Sequence, residues 1–145
     1  MGFQFAETMA GTLELDAAPG PKHPFRFEIT AHAASLRAHL RDGKVEVTGV
    51  MHAPPLADGV PTTGTMTIRP IGQRVIRYEL AFTGADGAPY ELVGQKDIRW
   101  RAAKATFSEL PAEVLDRDGR RVATVAARFD LEHDLWSFVR SVRPT

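Results

Sequence analysis

Apolar residues recur at every second position through most of this chain, the period of a strand with one buried face. Phe3, Phe5, Glu7, Met9, Gly11, Leu13 and Leu15 share one parity against a mostly polar alternate row, with a bend expected at Gly11. Pro19-Gly20-Pro21 then interrupts the pattern. The row resumes at Phe25, Phe27, Ile29, Ala31 and Ala33, whereas Leu36, Ala38 and Leu40 have the opposite parity. A bulge near Ala34-Ser35 absorbs the extra residue. The alternative is a helical turn carrying Ala31, Ala34 and Ala38. In the strand reading, a two-residue Asp42-Gly43 turn pairs Leu40 with Val45 and keeps the apolar rows on one face.

Residues 53–61, with three prolines in nine positions, predict a long connection over one end of the sheet, placed to act as a lid. Gly64, Met66 and Ile68 begin another row, and Pro70-Ile71-Gly72 turns the chain into Ile76, Tyr78, Leu80 and Phe82. A three-residue loop, Ala85-Asp86-Gly87, matches Phe82 to Tyr90, because Gly87 accepts the positive φ that a bulged hairpin needs. That register sets Tyr78 opposite Gly94, where its ring would cover the bare glycine, and Ile76 opposite an inward Lys96. Thr106 to Leu115 predicts a strand interrupted at Pro111, followed by a turn at Arg117-Asp118-Gly119-Arg120 and a return strand from Ala123 to Leu131. Only at the end does the period change: Leu135, Phe138, Val139 and Val142 sit at i, i+3, i+4 and i+7 behind a capping Asp134, the pattern of one short helix.

Short turns joining roughly eight to ten strands are the cue for an all-β, antiparallel up-and-down barrel. The 145 residues fit one domain, 1–145. Cysteine is absent, which removes disulfides, thiol nucleophiles and thiolate metal sites. Eighteen basic residues balance eighteen acidic ones, so no net field favours nucleic acid. The first ten residues carry neither a basic region nor a long apolar run, so the sequence predicts a cytoplasmic protein with no membrane span.

Two charges interrupt the inner rows. Glu7 lies between Phe5 and Met9, and Lys96 between Gly94 and Ile98. A lone ion facing a barrel core costs several kcal/mol unless it is paired or wetted. Two readings stand: a buried structural ion pair between Glu7 and Lys96, or a polar anchor for a ligand held in an apolar chamber. Tyr78 and Tyr90 share the inner face, and a buried phenol seeks a hydrogen-bond partner. Glu7, Tyr78, Tyr90 and Lys96 are therefore the candidate ligand-binding residues. The same groups also admit proton transfer, so an isomerase or hydrolase is the rival class, and a purely structural interaction domain the third.

No catalytic residue, cofactor or metal site is predicted. The five histidines show no helical pairing and no companion carboxylate on the same face. No glycine loop opens a helix, and no serine sits in a nucleophile elbow. Arg99, Trp100, Arg101 and Lys104 interleave charge with an aromatic, but Asp97 beside them fits a solvated edge better than a nucleic-acid surface.

The segment Phe5-x-Glu7-Thr8-Met9-x-Gly11, the hairpin FTGADGAPYELVGQKDIRW and the tail from Phe129-Asp130-Leu131 to Arg140-Ser141 resemble a lipocalin-like accessory region of bacterial glucose-methanol-choline oxidoreductases of the cholesterol-oxidase type. The resemblance implies a calycin-like barrel, a small apolar ligand such as a lipid or steroid, and an oxidoreductase partner. It brings no catalytic residue, since the flavin fold and its glycine fingerprint are absent.

Overall fold

A computed structural model of the protein describes residues 3–33, 43–69, 75–97, 109–128 and 143–144. They form nine strands: β1 (Phe3–Leu15), β2 (Ala18–Ala33), β3 (Lys44–Ala53), β4 (Ala57–Arg69), β5 (Val75–Thr83), β6 (Pro89–Asp97), β7 (Glu109–Leu115), β8 (Arg121–Arg128) and the two-residue β9 (Arg143–Pro144). Each of β1 to β8 pairs antiparallel with its sequence neighbour, and β1 pairs with both β2 and β8, which closes an eight-stranded barrel. β9 adds to β1 at Phe3 and Gln4. Among the described residues no helix is long and apolar enough to cross a membrane.

Period two has the expected consequence. Met9, Leu13, Phe27, Met51, Leu80, Leu92 and Val114 point inward and are fully buried, while the alternate positions face out. The hairpin of β5 and β6 has the predicted register: Phe82 faces Tyr90, Tyr78 faces Gly94 and Ile76 faces Lys96. Its loop is closed by Gly84 N–H donating to Ala88 O and Gly87 N–H to Gly84 O, with Gly87 at φ 81°. The loop between β7 and β8 repeats this design, with Gly119 at φ 77°.

The structure corrects the sequence reading at its prolines. Residues 53–61 are no lid. Leu56 N–H donates to Ala53 O in a tight turn, and β4 begins at Ala57, opposite Ala53. The register shift beside Met51, with Gly59 at φ 68°, absorbs the odd residue, and Pro61 falls just outside the β4–β5 ladder, which starts at Thr62. Pro19-Gly20-Pro21 is likewise carried within β2 as a long irregularity opposite Glu14. β7 runs through Pro111 unbroken. Pro111 pairs only with β8, because the β6–β7 ladder covers Gly94–Glu91 against Ala112–Leu115, so its missing N–H leaves no β6 carbonyl unmatched. Gly43 has φ 72°; the rest of the expected Asp42-Gly43 hairpin, the bulge at Ala34-Ser35, the Pro70-Ile71-Gly72 turn and the C-terminal helix with Leu135, Phe138, Val139 and Val142 lie outside the described residues.

Candidate functional site

Glu7 and Tyr78 meet inside the barrel. β1 and β5 have β2, β3 and β4 between them in one direction and β6, β7 and β8 in the other, so they stand on opposite walls. Both residues lie on inner rows, and the Tyr78 hydroxyl donates to Glu7 Oε1 across the lumen at 2.6 Å. Eight strands give a bore that a few side chains or one small ligand fill, so this hydrogen bond acts as a crossbar. The Tyr78 ring is 1% exposed and lies 5.9 Å from the ring of Phe27. Burial, then the negative charge of Glu7 and the hydrogen bond to it, push the phenol well above its ordinary pKa of 10.0. Tyr78 is therefore a fixed donor.

The Tyr78 foot of the crossbar stands where a ladder ends. Among the described residues the β1–β8 pairing runs from Leu15 opposite Ala123 to Ala10 opposite Arg128. Glu7 is half-buried. Tyr78 faces Gly94, the last β6 residue paired with β7. On the outer surface of that split, an open groove of about 540 Å³ is lined by Arg77, Gln95, Pro111, Glu113, Leu115 and Thr124.

The remaining candidates are placed differently. The backbone of Lys96 is opposite Ile76, and its side chain lies outside the described residues, as does the proposed pairing with Glu7. Tyr90 is four residues from Gly94, about 13 Å from the level of Tyr78. Its ring stacks on Phe82 at 5.8 Å, and its hydroxyl donates to Asp86 Oδ2 at 2.9 Å. Gly94 lies opposite Tyr78 as expected, and β7 also closes over it: a Cβ on Gly94 would meet Leu110 and Ala112 at 3.0 Å. A second tyrosine also covers a glycine. A Cβ on Gly84 would lie 2.4 Å from Tyr90 Cε2.

Two polar groups escaped the sequence reading. Thr62, 1% exposed, donates its hydroxyl to Ala81 O at 2.9 Å. His52 does have a companion carboxylate: its Nδ1 lies 3.0 Å from Asp58 Oδ1, and Arg26 Nη2 lies 3.4 Å from its Nε2. A guanidinium only donates, so Nε2 accepts and the ring proton sits on Nδ1, facing Asp58. The mistaken connection at 53–61 hid this pair, since Asp58 comes opposite His52 only once β4 is recognised. No group of three or more potential metal ligands occurs among the described residues.

No protein-family model and no curated protein matches the chain. Among solved structures, a redesigned β-barrel aligns with a TM-score of 0.48 at 9% identity, over 86% of this chain and 90% of that one. The barrel assignment rests on the strand pairing itself.

Proposed function

We propose that this barrel is a non-catalytic binding module that takes a small apolar ligand, lipid- or steroid-like, into its interior and holds the ligand's polar end at Glu7 and Tyr78. One observation carries the reading: a carboxylate and a phenol are hydrogen-bonded across a lumen whose other described inner side chains are almost all apolar. A packed core has no need of a half-buried acid, and replacing such a group by an apolar one is often neutral or stabilising. An apolar chamber with a few placed polar groups is the usual form of a small-molecule site. The resemblance to the lipocalin-like accessory region of glucose-methanol-choline oxidoreductases supports a lipid ligand and an oxidoreductase partner.

Native mass spectrometry of protein purified from its own host tests this directly. A co-purifying apolar molecule that Tyr78→Phe reduces supports the proposal. Protein that carries nothing and takes up no lipid overturns it.

The packing favours a second reading. Phe27, Met9, Leu13, Met51, Leu80 and Leu92 are all fully buried, and a barrel filled to native density leaves no room for a ligand. The module would then be structural, with the crossbar fixing the relation of β1 to β5. Lipid uptake separates the two, because a filled barrel takes up none.

A further inference from the structure

We infer that the interior site selects ligands whose polar end donates a hydrogen bond, an alcohol or an amine, and rejects those that end in a carboxylate. The inference rests on the binding reading above. The Tyr78 proton is directed at Glu7 Oε1, and burial together with the neighbouring charge keeps it on the phenol. Thr62 is the other buried polar side chain of the described core, and its proton is directed at Ala81 O. The buried side-chain donors among the described residues are thus aimed at protein oxygens. What remains to meet a ligand is the second oxygen of Glu7, and an ionised carboxylate accepts only.

A hydroxyl or ammonium completes that oxygen's hydrogen bonding. A carboxylate brings like charge against like charge, and among the described residues it finds no free donor there. Access is consistent with this role, since Glu7 is half-buried. Lys96 defines the competing chemistry. Its backbone occupies an inner-row position opposite Ile76, and a cation acting from that row would attract a carboxylate instead.

The test is displacement of a fluorescent apolar probe from the full chain by decanol, decylamine and decanoate near neutral pH. Decanol and decylamine should displace the probe, and decanoate should bind at least about tenfold more weakly, since a hydrogen bond to a charged group is worth that much or more. In Glu7→Gln the penalty on decanoate should shrink and decylamine should lose affinity, while decanol changes little. In the unaltered protein, displacement of the probe by decylamine but not by decanol would assign the preference to charge pairing alone and overturn the alcohol half of the proposal. Decanoate binding as tightly as decanol to the unaltered protein overturns the selectivity and leaves the binding reading standing. If neither probe nor any of the three ligands binds, the binding reading falls and the inference with it. Should Glu7→Gln fail to fold, the comparison within the unaltered protein still decides.

Discussion

Tyr78 donates to Glu7 over 2.6 Å and Tyr90 donates to Asp86 over 2.9 Å, the same phenol-to-carboxylate bond in two surroundings. The first joins residues 71 positions apart across the barrel interior, and the second joins residues four apart within one hairpin loop. Both raise the phenol's pKa, for different leading reasons. For Tyr78 it is burial; for Tyr90, which is only partly buried, it is the hydrogen bond to Asp86. Asp86 in turn is held below its ordinary pKa chiefly by the N–H of Ala88 and then by Tyr90. The loop would keep its shape through its backbone bonds and Gly87 without the phenol. In the interior pair, removing Glu7 takes from the buried phenol the acceptor of its proton.

The comparison breaks most easily at Tyr78. Tyr78→Phe should lower stability by about 1.5–3 kcal/mol in denaturant unfolding, toward the lower figure because Glu7 is half-exposed. Combining it with Glu7→Gln should cost less than the two single changes added. Strict additivity would show that the crossbar is not a coupled unit.

At the loop, Gly84→Ala should cost about 1–3 kcal/mol by overpacking, because the new methyl lies 2.4 Å from a Tyr90 ring carbon and the ring must swing away from Asp86. Loss of the Tyr90–Asp86 bond in that variant, with the barrel still folded, would be visible as a return of one tyrosine to ordinary titration.

Alkaline titration reads both pairs at once, since the chain has two tyrosines. Tyr90 should ionise somewhat above 10.0 in the folded protein, and Tyr78 only at much higher pH or on unfolding. The sign follows from linkage: the folded pKa of Tyr78 exceeds the unfolded one, so its contribution is complete below about pH 10 and is lost as the pH rises toward the folded value. Stability should fall there by about 1.4 kcal/mol per pH unit on account of Tyr78. Tyr78→Phe should remove that part of the slope. Two tyrosines ionising together near 10 would put Tyr78 in contact with water.

The smallest effect belongs to Tyr90→Phe, which keeps the stacking on Phe82 and should leave the melting temperature close to that of the unaltered protein. A large drop would mean that the loop depends on its phenol after all.

Most of the barrel was legible in the sequence because burial on one face of a strand writes itself at period two. The rows through Met9 and Leu13, through Phe25 to Ala31 and through Ile76 to Phe82 needed nothing more, and Gly87 set the β5–β6 register by accepting a positive φ that side chains resist. Prolines misled the reading, because their cost depends on which side of a strand is paired. Pro61 and Pro111 sit where one ladder has already ended, a fact about neighbouring strands that residue order does not contain.

The candidate site divides in the same way. That Glu7 and Tyr78 face inward followed from parity alone. That they face each other depends on the barrel closing with β1 opposite β5, and on register summed around the wall. Closure and cumulative register belong to the whole sheet and not to any one strand, so only the tertiary structure could join the two residues.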